Sequence, residues 1–226
     1  MRYPNLSEEK KLWRKGYKNV VCLDEAGRGP LAGPVVAAAV TMDSRICTNR
    51  TTNITNNSRK FVFKFVDIRG IRDSKKLSPI KREKFYKILT KQPSIRWGVG
   101  IVSEKVIDKI NIKNAAELAM ERALRKLKTK PGFLIIDGIN LKNKKLKNIA
   151  HKLIIKADEK VLSCAMASII AKVTRDKIMM KYHKKYPKYG FKKHKGYPTK
   201  KHFSMLKKYG PCKIHRKSFS PVAVAK

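Results

Sequence analysis

The sequence predicts an α/β protein with a mixed α/β core and a helical C-terminal appendage. Short apolar runs of strand length alternate with longer segments that repeat apolar residues at helical spacing. Beyond them, the last part of the chain is strongly basic and has helical character. Strands interspersed with helices typically pack into one layered core, and the change of composition near the C-terminus indicates an appendage to that core.

The strands are predicted from short apolar runs. Residues 20–23 and 34–40 are separated by a glycine-rich turn and predict a strand, a turn and a second strand. Residues 133–136 are wholly apolar, which favours a buried strand, and this run ends on Asp137. Further strand-like runs lie at residues 61–66, 97–102 and 153–155.

Helix signals fall between and after these strands. Ser78 and Pro79 suit the cap and the first turn of a helix. Residues 114–127 place apolar side chains at helical intervals. Residues 158–181 predict one long helix, whose small side chains allow close packing.

Composition divides the chain into two parts. Residues 1–181 predict a folded core, and residues 182–226 predict a basic helical segment that binds the substrate. From position 177 to 217 there are 15 Lys or Arg residues and no Asp or Glu, interleaved with tyrosine and phenylalanine. Within the core, residues 44–60 are rich in Asn and Thr and lack acidic residues, which is typical of a flexible insertion.

The charge balance limits the partners of this protein. The sequence contains 55 Lys and Arg residues against 16 Asp and Glu residues, a formal net charge of +39 at pH 7. A compact fold with this surplus repels itself unless a polyanion is near, so nucleic acid is the expected partner. A membrane-spanning protein is excluded, because the longest apolar run, residues 35–40, is far too short to cross a bilayer.

The ends and the cysteines predict the compartment. The N-terminal residues contain no apolar core of the kind that a secretory signal requires, which predicts a cytoplasmic protein. The four cysteines are scattered without close pairing, so the sequence indicates neither a zinc site nor a disulfide framework.

Acidic residues are rare in this chain, and four of them stand where apolar runs end: Asp24, Glu25, Asp137 and Asp158. Open α/β sheets bind ligands at the ends of their strands. If the fold brings these carboxylates together, their repulsion has to be offset, and hard divalent cations with oxygen ligands do this. The four residues are therefore candidate metal ligands and catalytic groups of a phosphodiester hydrolase that uses two metal ions.

Each carboxylate also has a purely structural interpretation. Asp24 and Glu25 can open a turn, as can Asp137 with the glycine after it. Asp158 can cap a helix. Adjacent residues of a regular strand point to opposite faces, so Asp24 and Glu25 share a site only if the strand breaks at Glu25.

A series of motifs carries a family resemblance. Residues 23–34 have the sequence LDEAGRGPLAGP. Further motifs follow in order: Asp73-Ser74-Lys75-Lys76-Leu77-Ser78, Asp137-Gly138, the run from Ala165 to Asp176, His194-Lys195-Gly196-Tyr197, Tyr209-Gly210-Pro211 and His215-Arg216-Lys217-Ser218-Phe219. Together they resemble the type 2 ribonuclease H (ribonuclease HII) family over residues 20–222.

The resemblance implies an RNase H-like fold, with a mixed β-sheet flanked by helices and a helical C-terminal segment after the catalytic core. It places the metal-binding and catalytic carboxylates of the family on Asp24, Glu25, Asp137 and Asp158. It also implies two divalent ions, Mg²⁺ or Mn²⁺, as cofactors. The related type 3 family usually has Gly-Lys-Gly and a Glu as its last carboxylate, so Arg28 and Asp158 favour type 2.

Substrate recognition is implied at two places. Gly27, Arg28 and Gly29 match the family's Gly-Arg-Gly motif, which reads the 2′-hydroxyl of a ribonucleotide, and Tyr197 matches its tyrosine at the substrate junction. Glycines suit this role because they let the backbone approach a sugar closely, and the 2′-hydroxyl is what separates RNA from DNA. From the residues alone, glycines that merely shape a hairpin stay an alternative.

Other polar and aromatic residues remain open between two interpretations. Ser74 and Lys75 are candidate phosphate contacts, with ordinary solvated side chains as the alternative. The aromatic residues of the basic segment either contact nucleic acid or pack into a helical core. His183, His202 and His215 lack ligand-like spacing and are expected to pack or to contact phosphate rather than to catalyse.

The sequence thus predicts an endoribonuclease that hydrolyses the RNA strand of RNA–DNA hybrids and cuts 5′ of single ribonucleotides in duplex DNA. By resemblance, the products carry a 3′-hydroxyl and a 5′-phosphate. The expected partners are RNA–DNA hybrid and ribonucleotide-containing duplex DNA, with no membrane partner, and we expect a monomer. The alternative is a non-catalytic basic nucleic-acid-binding protein, against which the four carboxylates at the ends of separate runs argue.

Overall fold

A mixed β-sheet lies at the centre of the protein. The computed structural model describes residues 3–43, 70–71, 74, 77–138 and 140–224. The strands of the sheet in these residues are β1 Val20–Ala26, β2 Val35–Met42, β3 Ile95–Val102, β4 Phe133–Asp137 and β5 His151–Ile154. They lie in the order β3-β2-β1-β4-β5, with β1–β2 and β2–β3 antiparallel and β1–β4 and β4–β5 parallel. The predicted α/β class is confirmed.

Helices cover the sheet and form the C-terminal part of the chain. They are α1 Ser7–Arg14, α2 Pro79–Lys91, α3 Glu104–Lys126, α4 Lys144–Lys147, α5 Ala157–Lys160, α6 Leu162–Lys185, α7 Phe191–His194, α8 Lys200–Tyr209 and α9 Ser220–Ala223. A 3₁₀ turn at Pro187–Tyr189 links α6 to α7. The predicted helical C-terminal segment is therefore present.

The two faces of the sheet carry different helices because successive strand residues point to opposite sides. Val40 of β2 packs with Met166 and Ile169 of α6 on one face, which α2 also covers. Leu23 of β1 packs with Ala119 of α3 on the other face. The end of β1 therefore lies between the two longest helices of the fold.

Two glycines of β3 set the distance between the sheet and α3. A side chain on Gly100 would overlap the carbonyl oxygen of Ala119, and one on Gly98 would overlap that of Ala123. The helix backbone thus lies directly on the strand. This close approach requires glycine at both positions.

The predicted strands at 20–23, 34–40, 97–102 and 133–136 are all confirmed. The strand predicted at 153–155 is β5, which begins two residues earlier and ends at Ile154. The strand-like run at 61–66 and the predicted insertion at 44–60 lie outside the described residues.

The prediction of one helix over 158–181 is wrong. The backbone is extended at Val161 (φ −113°, ψ 123°), which separates α5 from α6. The amide of Asn5 donates to the carbonyl of Lys160 (3.1 Å), and the amide of Leu162 donates to the carbonyl of Asn5 (3.0 Å). Hydrogen bonds to a distant segment therefore replace helical ones at the break.

Two further helix boundaries differ from the prediction. α3 begins at Glu104 rather than at 114, with non-helical backbone at Asn111 (φ 63°, ψ 166°). The side chain of Asn111 accepts a hydrogen bond from the amide of Asn114 (3.1 Å), so the helical spacing detected in the sequence begins after this internal cap. α6 continues to Lys185, past the predicted boundary between residues 181 and 182, and the division into core and segment stays a prediction.

Among the described residues, no helix combines the length and the apolar character that crossing a membrane requires.

Candidate active site

Asp24 and Asp137 lie side by side because β1 and β4 pair in parallel. The register joins Leu23 to Ile136, and the next residue on each strand is an aspartate. Asp24 is buried, and Asp137 is partly exposed at the end of β4. The sheet thus brings together two carboxylates that are more than 100 residues apart in the chain.

Asp158 completes a cluster of three aspartates. It is buried in α5, a helix that begins directly after the left-handed residue Lys156 (φ 56°, ψ 49°). Each of the three side chains offers an oxygen, and these oxygens all lie within 4.8 Å of one another. The helix-cap interpretation of Asp158 is wrong, since the capping positions of α5 and α6 are Lys156 and Val161.

The cluster has an electrostatic cost. Burial raises the pKa of Asp24 well above its ordinary value, and the charges of Glu25, Asp137 and Asp158 raise it further. A hydrogen bond with Ser168 on α6 acts in the opposite direction. Converging carboxylate oxygens of this kind are the ligands that Mg²⁺ and Mn²⁺ prefer. The donor set fits hard divalent cations, which would offset the repulsion.

Glu25 occupies the rim of the same site. β1 continues through Ala26, so the strand does not break at Glu25, which was the condition for a site shared with Asp24. Glu25 nevertheless lines the same cavity as Asp24. Its Oε1 lies 3.3 Å from Nη1 of Arg28. It does not belong to the group of three aspartates whose oxygens converge.

A cavity of about 440 Å³ joins these carboxylates to the turn after β1. Gly27, Arg28 and Gly29 line it, and the Arg28 side chain is largely exposed. Gly27 has φ +102°, and a side chain there would overlap the guanidinium of Arg175. Glycine is therefore required at position 27 for both its backbone conformation and its contact.

Tyr197 closes the cavity from the C-terminal part of the chain. Its ring lies beside Gly29, at which an added Cβ would stand 4.0 Å from Cε1 of the tyrosine. Lys172 Nζ and Arg175 Cζ lie 5.4 and 5.6 Å from the ring centroid. The ring is partly exposed to the cavity, as expected for a surface that receives a ligand.

The remaining predicted residues differ in their environment. Ser74 is buried, and its hydroxyl pairs with that of Ser168 (2.9 Å) at the cavity wall. Lys75 lies outside the described residues. The predicted and described site residues line the cavity, with the exception of the buried Asp158.

Sequence reasoning missed two residues of the cavity. Ser168 and Lys172 lie one helical turn apart on α6 and both line the cavity. Lys172 Nζ also forms an ion pair with Asp176 Oδ1 (2.9 Å). Their spacing of four within the motif from Ala165 to Asp176 was the available signal, because it places both on one helix face.

The C-terminal segment uses most of its rings for packing. Phe191 and Tyr189 are buried in a small core that also contains Ala32 of the turn after β1. The rings of His202 and His215 are buried, and their Nε2 atoms lie 3.0 Å apart. The packing interpretation thus holds for these rings, whereas Phe203, Tyr209 and Tyr197 keep exposed surface.

Comparisons with known proteins agree with this geometry. Residues 21–222 match the Ribonuclease HII family. The chain is 48% identical to ribonuclease HII of Caldicellulosiruptor bescii over 211 residues, 93% of this chain and 91% of that protein. It is 47% identical to ribonuclease HII of Acholeplasma laidlawii over 223 residues, 99% of this chain and 98% of that protein.

Solved structures show the same fold. The ribonuclease H2 from Pyrococcus horikoshii aligns with a TM-score of 0.69 at 28% identity, covering 91% of this chain and 96% of that one. The RNase H3 of Aquifex aeolicus aligns with a TM-score of 0.57 at 17% identity, covering 93% and 78%, which is a likeness of fold alone. The alternative of a non-catalytic nucleic-acid-binding protein is wrong. The chain belongs to the ribonuclease HII family, whose members are divalent-metal-dependent ribonucleases H that cleave the RNA strand of RNA–DNA hybrids.

Proposed function

We propose that this enzyme cuts on the 5′ side of a ribonucleotide, both in RNA–DNA hybrids and at single ribonucleotides embedded in duplex DNA. The products carry a 3′-hydroxyl and a 5′-phosphate. One observation carries the proposal: the aspartate cluster shares a cavity with the turn at Gly27–Gly29 and with Tyr197. A site that cuts and a site that reads a sugar are thus next to each other.

Asp24, Glu25, Asp137 and Asp158 would hold two divalent ions, Mg²⁺ or Mn²⁺. When bound, such ions supply an activated water and stabilise the leaving oxygen of a phosphodiester. Support comes from the converging oxygens of the three aspartates and from the mutual repulsion of these carboxylates, which bound cations would offset. Ser168 orients Asp24 through its hydroxyl, and Ser74 in turn supports Ser168.

The chain's other cavity residues bind and orient the substrate. Gly27, Arg28 and Gly29 present their backbone to the 2′-hydroxyl, while Tyr197 packs against the neighbouring sugar. Lys172 and Lys75 are assigned to phosphates, Lys172 because it lines the cavity beside the Tyr197 ring. In this role Gly29 lies beside the ring of Tyr197, at ordinary contact distance for an added Cβ.

The test compares duplexes of one sequence that carry no, one or four ribonucleotides, in Mg²⁺, Mn²⁺ or EDTA. With enzyme in excess, we expect rapid cutting 5′ of the single ribonucleotide, no cutting of all-DNA duplex, and no activity in EDTA. Tyr197→Ala should slow single-ribonucleotide cutting roughly 10- to 100-fold, which corresponds to about 1–3 kcal/mol of lost interaction. Its affinity for duplex should change far less.

Tyr209→Ala is the matched control, because Tyr209 is an exposed tyrosine of the same segment that does not line the cavity. It should cut at the wild-type rate. Equal cutting of all-DNA and single-ribonucleotide duplexes by wild type would overturn the proposed recognition. If Tyr197→Ala cuts the single-ribonucleotide duplex at the wild-type rate, Tyr197 takes no part in this recognition.

A further inference from the structure

Two arginines lie fully buried behind the turn after β1. Arg175 of α6 and Arg216 near the C-terminus are both 0% exposed. Burial of a guanidinium is costly unless its donors are satisfied. In both residues the donors bind backbone carbonyls rather than carboxylates: those of the turn and, for Nη1 of Arg175, that of Lys195 (3.0 Å).

The two arginines share the carbonyl of Pro34, which accepts from Arg175 (3.0 Å) and from Arg216 (3.3 Å), but their other carbonyls differ. Arg175 donates to Pro34 (3.0 Å) and Ala32 (3.1 Å) at the end of the turn. Arg216 donates through Nη2 to Gly27 (2.6 Å) and through Nη1 to Arg28 (2.9 Å), at the start of the turn. Arg216 alone of these two therefore binds the carbonyls of the Gly-Arg-Gly motif.

The orientation of these carbonyls fixes the amides opposite them. In a trans peptide the N–H points away from the C=O, and the described residues contain no cis peptide bond. The carbonyls of Gly27 and Arg28 belong to the peptides whose amides are those of Arg28 and Gly29. Because both carbonyls face Arg216, both amides face the opposite way, and these residues line the cavity.

Those two amides are available to a ligand. Within the described part of the chain, neither the amide of Arg28 nor that of Gly29 donates to a backbone carbonyl, whereas those of Leu31 and Gly33 donate to Gly196 and Ile214 (both 2.8 Å). Successive amides that point into a cavity form a binding site for an oxygen acceptor.

We propose that Arg216 is a positioning residue for substrate recognition, which holds the amides of Arg28 and Gly29 toward the ribose oxygen of the scissile nucleotide. This inference rests on the proposed function of the Gly-Arg-Gly turn. Arg216 is itself held firmly: its amide donates to Leu31 (2.8 Å), and Asp108 of α3 accepts from the amides of Lys217 and Ser218 (both 3.0 Å).

Lysine cannot replace Arg216 in this role. A guanidinium presents several donors in a rigid planar fork, whereas an ammonium is a single point of charge on a flexible stem. Arg216→Lys keeps the charge and loses the simultaneous contacts with Gly27 and Arg28. It is therefore the variant that separates positioning from charge.

The experiment compares wild type, Arg216→Lys, Arg175→Lys and Arg122→Lys. Arg175→Lys removes a buried fork that binds the same turn at Pro34 and Ala32 but not at Gly27 or Arg28. Arg122 of α3 donates to the carbonyl of Ile101 of β3 (2.6 Å) and does not line the cavity, so its variant should keep wild-type activity. In ¹⁵N-labelled free proteins, the amide resonances of Arg28 and Gly29 should shift in Arg216→Lys and much less in Arg175→Lys.

For cleavage with enzyme in excess, Arg216→Lys should slow cutting at a single ribonucleotide roughly 10- to 100-fold, as a misplaced contact does. Affinity for uncleavable all-DNA duplex should stay within about threefold of wild type, since the phosphate contacts that dominate affinity remain. Wild-type resonances of both amides in a folded Arg216→Lys protein, or wild-type cleavage by it, would overturn the inference. If those resonances shift but wild type itself ignores the 2′-hydroxyl, the proposed function fails while the orientation of the turn by Arg216 stands.

Discussion

At the scale of single residues, the electrostatic cost of the site falls on the charged form of Asp24. It is buried between two aspartates, and its neutralisation is favoured by burial and by the charges around it. Without cations, the folded state therefore either keeps this repulsion or takes up a proton at Asp24. Removal of one neighbouring charge should relieve the repulsion, at the expense of a metal ligand.

Asp137→Asn tests this balance. We expect loss of cleavage in Mg²⁺ and Mn²⁺, because a ligand oxygen is replaced by an amide. In EDTA the variant should unfold at the same temperature as wild type or higher, since Asp24 loses one repelling neighbour. Thermal unfolding with and without metal, alongside cleavage rates, measures both effects.

Glu117→Gln is a suitable control, because Glu117 lies on α3 and accepts from the backbone of Lys142 and Asn143, outside the cavity. It should cut normally. Wild-type turnover by Asp137→Asn with an unchanged metal titration would contradict the assignment of this residue.

Most of the proposed site was predictable at this scale. Rare acids at the ends of apolar runs pointed to Asp24, Asp137 and Asp158, and parallel pairing brings the first two together. Ser168 and Lys172 were not predicted, because their role depends on which face of α6 meets the sheet. Arg216 was seen only as part of a motif, since a buried arginine cannot be told from a surface one by sequence.

At the scale of elements, the clearest misprediction is the break between α5 and α6. The local sequence around Val161 favours an unbroken helix, but the extended backbone there pairs with Asn5. Contacts across more than 150 residues thus override a local preference, and no local pattern signals them. Because of this break, Asp158 lies in a separate short helix. Its position in the aspartate cluster therefore does not depend on the direction of the α6 axis.

The C-terminal segment contains a titratable element beneath Tyr197. The amide of Cys212 donates to Nδ1 of His215 (2.9 Å), so the proton of that ring lies on Nε2 and is donated to His202 (3.0 Å). Nδ1 of His202 then donates to the carbonyl of Tyr197 (3.0 Å). Both rings are neutral in this chain of hydrogen bonds, and it supports the backbone of Tyr197.

This element predicts a pH dependence of stability. Burial lowers the pKa of both His202 and His215 to about 4, below their value of 6.5 when unfolded. The unfolded chain therefore binds more protons between these values, and the pair's contribution is fully present above pH 6.5 and is lost as the pH falls toward 4. Urea unfolding of wild type, His202→Gln and His215→Gln across this range measures it.

The difference in unfolding free energy between wild type and each variant should shrink as the pH falls. Comparing the proteins at each pH cancels the contribution of the carboxylates to the pH dependence of stability. Asp24 contributes to that dependence with the opposite sign, because its pKa is raised. A difference that stays constant from pH 7 to pH 4.5 would show that the histidines do not titrate as a buried neutral pair.

At the scale of the whole molecule, the charge of +39 determines how the protein meets its substrate. Binding to duplex of any sequence should weaken roughly 10³-fold or more between 50 and 200 mM salt if six or more phosphates are contacted. Exposed lysines of the C-terminal segment, close to Tyr197 in the sequence, are expected to make several of these contacts. Replacement of Lys192, Lys193 and Lys201 by Gln should reduce the salt slope by about one per lysine.

A charge-matched variant separates position from total charge. Lys105, Lys109 and Lys113 are exposed on α3, and their replacement by Gln removes the same charge from another part of the surface. Its salt slope should stay close to that of wild type. Equal slopes for the two triple variants would mean that the C-terminal segment has no special part in duplex binding.

The hydrogen bonds between the first turn and the end of the chain also determine when the enzyme becomes complete during its synthesis. Gly27 and its partner Arg216 are 189 residues apart. At a ribosomal rate of about 5–20 residues per second, roughly 10 to 40 seconds separate their appearance. All three aspartates are translated within that time, whereas the turn can form its hydrogen bonds only after Gly196, Ile214 and Arg216 have been translated. The residues assigned to cleavage are thus synthesised before the residues that hold the turn in place. That turn is the one assigned to recognising the cleavage position.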